Sequence, residues 1–121
     1  MVYKKTELEG IVSAFVKELK KRISLKRVIL FGSYAYGRPV MGSDIDVAVV
    51  SDAFKKMDDI KRIMLLSDCA RRIKAAVDID SIGFTEEELE KADYFDIGAL
   101  IQEKGVCVYK GAASKRSLCR V

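Results

Sequence analysis

The strongest constraint on the fold is a pair of short apolar runs, Val28-Ile29-Leu30-Phe31 and Ile45 to Val50, the first stopped by Gly32-Ser33 and the second entered through Asp44. Uninterrupted runs of this length read as strands buried on both faces. The segment between them, Ser33-Tyr34-Ala35-Tyr36-Gly37-Arg38-Pro39 and a few residues more, holds a short helix and a turn but no full crossover. The two strands are therefore expected as antiparallel or mixed neighbours.

Other elements follow from periodicity. Leu8, Ile11, Val12, Phe15, Val16, Leu19 and Ile23 fall on one helical face, with Thr6 and Glu9 as a capping pair. Asp58 or Asp59 caps a middle helix with an apolar face of Ile60, Ile63, Met64, Cys69, Ala70, Ile73 and Val77, expected to end near Ala75. Val77 to Ile82 alternates like a strand with one wet face, and Thr85 to Leu89 opens a helix with a capping box. A last helix around Phe95 to Glu103 meets Gly105, and Val106 to Tyr109 forms a final strand. The 121 residues make one domain, residues 1–110, followed by a small, polar, basic tail at 111–121 that is expected to be poorly ordered.

The chain has no histidine. That excludes Ser-His-Asp and Cys-His catalysis and mixed Cys/His zinc sites, and leaves carboxylates, a metal, lysines and backbone amides. The odd, widely spaced Cys69, Cys107 and Cys119 suggest reduced thiols rather than a disulfide framework. No apolar run approaches the roughly 20 residues of a membrane span, and Met1 to Gly10 resembles no export signal, so the expected location is the cytoplasm. A net charge of +4, much of it from the tail, is weak evidence for nucleic acid, which is not an expected partner, but it suits a phosphate-rich ligand.

Gly32 and Ser33 stand after a strand and before a short helix, where unpaired amides can hold an anion such as a triphosphate. Asp44 and Asp46, two apart at a strand start, project to one face. Carboxylates that close call for a cation, and oxygen ligands with open positions suit Mg²⁺, with two ions able to clamp both oxygens of an in-line phosphoryl displacement. Asp78 and Asp80 are the candidates for a third acid, both on the wet face of their strand. The glycine spacing of a P-loop is present, but Arg38 and Pro39 stand where Lys and Ser/Thr are needed. A phosphohydrolase Asp-x-Asp would follow its strand rather than precede it.

Gly32-Ser33, ten residues, then Asp44-Ile45-Asp46, within FGSYAYGRPVMGSDIDVAVVS, resembles the signature of the minimal nucleotidyltransferases of the DNA polymerase beta superfamily; DIDSIGFTEEELE and GVCVY are similar to its later segment. The resemblance implies a compact α/β (α+β) nucleotidyltransferase fold, a mixed central sheet of about four strands flanked by helices. It further implies transfer of a nucleoside monophosphate, with ATP the favoured donor, and Mg²⁺ as cofactor.

By resemblance Gly32 and Ser33 hold phosphates, with Arg38 and Ser43 beside them. Asp44 and Asp46 bind metal, and Asp80 best matches the third acid, with Asp78 the alternative. Tyr36 departs from the arginine that relatives often carry there, a loss Arg38 is placed to offset. Relatives of this size often act as antitoxins that adenylylate a tyrosine hydroxyl on a helical partner of the HEPN type. The competing expectation is a binding module with the same fold and little turnover, and a small core leaves room for a homo-oligomer.

Overall fold

The computed structural model describes residues 5–32, 45–73, 79–91, 101 and 105–111. Helix α1 (Lys5–Lys20) leads into β1 (Arg27–Phe31) and β2 (Ile45–Val50). A short 3-10 turn (Asp52–Lys56) precedes helix α2 (Asp59–Arg71), and β3 (Ile79–Phe84), helix α3 (Glu86–Glu90) and β4 (Val106–Lys110) complete the order.

The four strands form one mixed sheet in the order β3-β2-β1-β4. As expected from the short connection, β1 and β2 run antiparallel, and β4 joins β1 antiparallel on the other side. Strand β3 lies parallel to β2 at the opposite edge, because the chain between them is long enough to carry α2 across the sheet.

Strand alternation divides the core in two. Val28, Leu30, Ile45, Val47 and Val49 pack under α1 and α2 with Phe15, Leu19, Leu66 and Cys69. Ile29, Phe31, Ala48 and Val50 point the other way, against Leu89 and Ile101. This two-sided burial is why β1 and β2 read as unbroken apolar runs. Phe15 and Leu19 are wholly enclosed, and each such side chain stabilises the fold by roughly 1.5–3 kcal/mol relative to exposure.

Helix α1 runs from Lys5, so Thr6 lies inside the helix rather than capping it. Asp58 does cap α2: its carboxylate accepts from the Lys61 N–H at 2.8 Å. The capping box of α3 is formed in full, with Thr85 and Glu88 each accepting from the other's N–H. Helix α2 departs from its expected face and length. It ends at Arg71, short of Ala75, and buries Leu66 and Cys69, whereas Ile60, Ile63 and Met64 are exposed.

The physical reason is that Arg62 takes the inward position. Its Nη2 donates to the Phe54 carbonyl at 2.6 Å, its Nη1 to Gly83 O at 3.2 Å and Glu88 at 2.7 Å, and its Nε to Met57 O at 3.2 Å. The guanidinium also lies 5.5 Å from the Phe54 ring centroid, a cation–π contact. With Arg62 turned in, helical geometry rotates Ile60, Ile63 and Met64 outward.

A second buried cation, Arg27, meets Glu86 at 2.5 Å with no exposed surface of its own. Burial pushes its guanidinium pKa down, with Glu86 opposing that shift. Cys69 is a free buried thiol, while Cys107 is disulfide-bonded, its partner lying outside the described residues. The expectation of reduced thiols thus fails at Cys107. The helix expected from Phe95 to Glu103 falls mostly outside the described residues, as does the tail from residue 112. Among the described residues, no helix is long and apolar enough to cross a membrane.

Candidate active site

Strand β1 ends at Phe31, and Gly32 follows with φ of +74°, a left-handed backbone that a side chain makes costly. A second constraint acts at the same atom. A Cβ built on Gly32 collides with Oδ2 of Asp46 and comes within 3.0 Å of its Cγ. The Asp46 carboxylate therefore lies directly against the Gly32 backbone, and the missing side chain is what makes space for it.

Asp46 is brought there by register. It pairs opposite Phe31 on β1, and on its other side it pairs with Asp80 of the parallel strand β3. Register partners on adjacent strands project to the same face. That face is the one opposite α1 and α2: Ile45 and Val47, which flank Asp46, point into the α1–α2 core, and Ile82 and Phe84, in phase with Asp80, pack with the second cluster. Asp46 is half-buried and Asp80 exposed.

Gly32, Asp46 and Asp80 are thus brought together by the ends of three consecutive sheet strands. Ser33, Arg38, Ser43, Asp44 and the alternative third acid Asp78 lie outside the described residues, as do Tyr34 and Tyr36. Among the described residues no cluster of three metal-ligating side chains occurs. The two carboxylates that are present fit a hard divalent cation: both offer oxygen, they share a face as register neighbours, and one of them lies in the space that the side-chain-free Gly32 leaves.

A nucleotidyltransferase domain model matches residues 12–109, from α1 to the last strand. The chain belongs to the nucleotidyltransferase domain family. It is accordingly an enzyme of the nucleotidyltransferase class, of the minimal type that includes the MntA proteins.

A candidate protein adenylyltransferase from Methanocaldococcus jannaschii is 33% identical over 104 residues, covering 84% of this chain and 97% of that protein. The protein adenylyltransferase MntA of Thermococcus cleftensis is 40% identical over 43 residues, 36% of this chain and 43% of its own. Among solved structures, a candidate nucleotidyltransferase from Sulfolobus solfataricus superposes with a TM-score of 0.60 at 23% identity over 93% of this chain and 95% of its own. It shares the fold. A toxin–antitoxin crystal structure with AMP-PNP superposes with a TM-score of 0.57 at 27% identity, over 86% of this chain and 74% of its own.

Sequence reasoning missed three residues that tie α2 and α3 to the sheet, Arg62 and the pair Arg27 and Glu86. The signal for Arg62 was available: it stands four before Leu66 and seven before Cys69, on the helical face that is buried. Arg27 gave less away, because a cation at a strand start commonly reaches solvent.

Proposed function

We propose that this nucleotidyltransferase moves AMP from ATP to a hydroxyl of a partner protein, a tyrosine of a helical HEPN-type toxin, and acts as the antitoxin in the cytoplasm. The observation that carries this reading is the pairing of Asp46 with Asp80 across parallel strands, with Gly32 held open against Asp46. The family, the adenylyltransferase relatives and the AMP-PNP-containing toxin–antitoxin neighbour support the donor and the kind of partner.

Asp46, Asp80 and Asp44 are the residues that would hold Mg²⁺, which when bound would offset charge on the triphosphate and on the attacking oxygen. The remaining work falls to the chain. The backbone at Gly32 and Ser33 binds phosphate oxygens through its amides, and the absence of a side chain at Gly32 leaves room for the Asp46 carboxylate beside them. Arg38 and Ser43 contribute further donors to the phosphates. Asp80, exposed on the edge strand β3, would accept the proton of the acceptor hydroxyl. The acceptor oxygen then bonds to the α-phosphorus, the bond from that phosphorus to the bridging oxygen breaks, and pyrophosphate leaves. The acceptor arrives from outside, since the described domain is a single sheet with its helices and the acids open onto its surface.

The test is incubation with Mg²⁺ and ATP labelled at the α- or the γ-phosphate, with and without the protein encoded beside this gene. Label transferred to that protein from the α position only, and lost in Asp44→Asn/Asp46→Asn, supports the reading. Absence of transfer together with absence of nucleotide binding by calorimetry favours the binding-module alternative.

A further inference from the structure

The chain holds three cysteines, which differ in state. Cys69 is a free thiol enclosed in the core, and burial pushes its pKa up, so it stays protonated and takes little part in thiol exchange. Cys107 is disulfide-bonded. With Cys69 free, Cys119 alone remains to be its partner. The bond closes a ring over the basic end of the chain, with Lys110, Lys115 and Arg116 inside the ring and Arg120 directly after it.

Strand register says where the bond stands. The β1–β4 ladder shifts between Val28 and Ile29, so that Val28 pairs with Tyr109 and Ile29 with Cys107. Tyr109 packs with Val28 in the core under α1 and α2, whereas Cys107 is in phase with Ile29 on the other face. That is the face of Asp46 and Asp80. Two strand spacings from β4 to β2, and two residues along β2 from Ala48 to Asp46, put the Cys107 backbone roughly 12 Å from that of Asp46.

Covalent geometry bounds the rest. Bonded cysteines have their Cα atoms roughly 5.5–6 Å apart, so Arg120, next to Cys119, keeps its backbone within about 10 Å of Cys107. Without the bond, the stretch from Gly111 to Arg120 reaches about 35 Å when extended.

We propose that Cys107 and Cys119 form a reversible redox tether that holds the basic C-terminal segment near the acid-bearing face and strengthens nucleotide binding there. The proposal rests on the reading of Gly32, Asp46 and Asp80 as the nucleotide site. Tethering raises the local concentration of Lys115, Arg116 and Arg120 beside a triphosphate, whose negative charge attracts them. The chemistry is exchange with a low-molecular-weight disulfide. One cysteine thiolate attacks it, forming a mixed disulfide and releasing one small thiol; the other thiolate attacks the mixed disulfide and releases the second. The protein loses two protons and two electrons, which the small disulfide takes up, and a dithiol reverses both steps. In a reducing compartment such a bond is transient and therefore responsive.

Calorimetry with Mg²⁺ and a non-hydrolysable ATP analogue tests this on the full chain, oxidised with a small disulfide or reduced with a dithiol, with circular dichroism to check that each form is folded. Peptide mass spectrometry of the oxidised form is expected to show Cys107 linked to Cys119, with Cys69 alkylated only after denaturation. The oxidised form should bind the analogue about five- to tenfold more tightly than the reduced form, by a margin that shrinks as salt is raised. Cys119→Ser should bind like the reduced wild type under both conditions. Lys115→Ala/Arg116→Ala/Arg120→Ala should still form the disulfide but lose the difference. Equal affinity of the two wild-type forms overturns the proposal and leaves the nucleotide site standing, as does a disulfide that raises the unfolding temperature alone. A linkage other than Cys107 to Cys119 also overturns it. Absence of binding in both forms overturns the reading of the site, and the tether with it.

Discussion

Asp46 and Asp80 are direct register partners across the parallel β2–β3 pair, so two carboxylates from distant parts of the sequence share one face of the sheet. If they serve one cation, each should matter to its binding. Replacing either by Asn is expected to lower Mg²⁺ affinity, measured by calorimetry with a non-hydrolysable ATP analogue present, by more than about a hundredfold, beyond the 10–100-fold typical of outer partners. Asp80 is exposed, so Asp80→Asn should change stability by no more than about 0.5 kcal/mol.

Gly32 is constrained twice, by its positive φ and by the Asp46 carboxylate. Gly32→Ala should cost about 1–2 kcal/mol from the backbone alone and should also displace Asp46, lowering transfer. Gly32→Asn separates the two effects, since asparagine accepts the left-handed region more readily but brings the same Cβ. Denaturation curves should show a smaller stability loss for Asn than for Ala, while activity stays low in both. Full activity in the Asn variant would mean the collision is unimportant.

Arg62 ties α2 to the 3-10 turn, to β3 and to α3 through Phe54 O, Gly83 O and Glu88. Lysine has the charge but not the fork. Arg62→Lys is expected to destabilise the protein by about 2–3 kcal/mol, because backbone carbonyls that the guanidinium now satisfies are left without a donor. Thermal unfolding measures this, and a loss as small as that of a surface lysine substitution would argue against the hub.

Much of this architecture was legible in the sequence, for identifiable reasons. Strands β1 and β2 are buried on both sides and therefore spell continuous apolar runs, and Thr85-Glu86-Glu87-Glu88 spells its cap directly. The middle helix misled because apolar residues on α2 occur on both faces. Periodicity reports that a stripe exists without saying which stripe faces the sheet, and Arg62 is among the residues that decide it. Gly32 and Asp46 were legible as a pair of functional types; that one makes space for the other required coordinates. The choice between Asp78 and Asp80 could not come from alternation, which treats them alike. The register pairs Asp80 with Asp46, and Asp78 lies outside the described residues.

Two carboxylates link the protein's stability to pH. Hydrogen bonding from Arg62 holds Glu88 below its ordinary value of 4.5, and hydrogen bonding from Arg22 and Arg72 holds Asp68 below 3.8. For an acid whose folded-state pKa is depressed, the stabilisation is fully present above the unfolded value and is lost as pH falls through the folded one. Urea unfolding followed from pH 7 downward should therefore show stability constant until about the ordinary carboxylate range and falling below it. Glu88→Gln should be less stable at neutral pH and show a shallower acid decline.

The central claim is that Asp46 and Asp80 act together in adenylyl transfer to a protein. Intact-mass spectrometry of the purified toxin partner, after incubation with ATP, Mg²⁺ and this enzyme, tests it most directly. The account predicts a gain of one or more AMP units with the wild-type enzyme and none with either Asp46→Asn or Asp80→Asn while both variants remain folded. Unmodified partner with the wild type, or equal modification by Asp80→Asn, would contradict it.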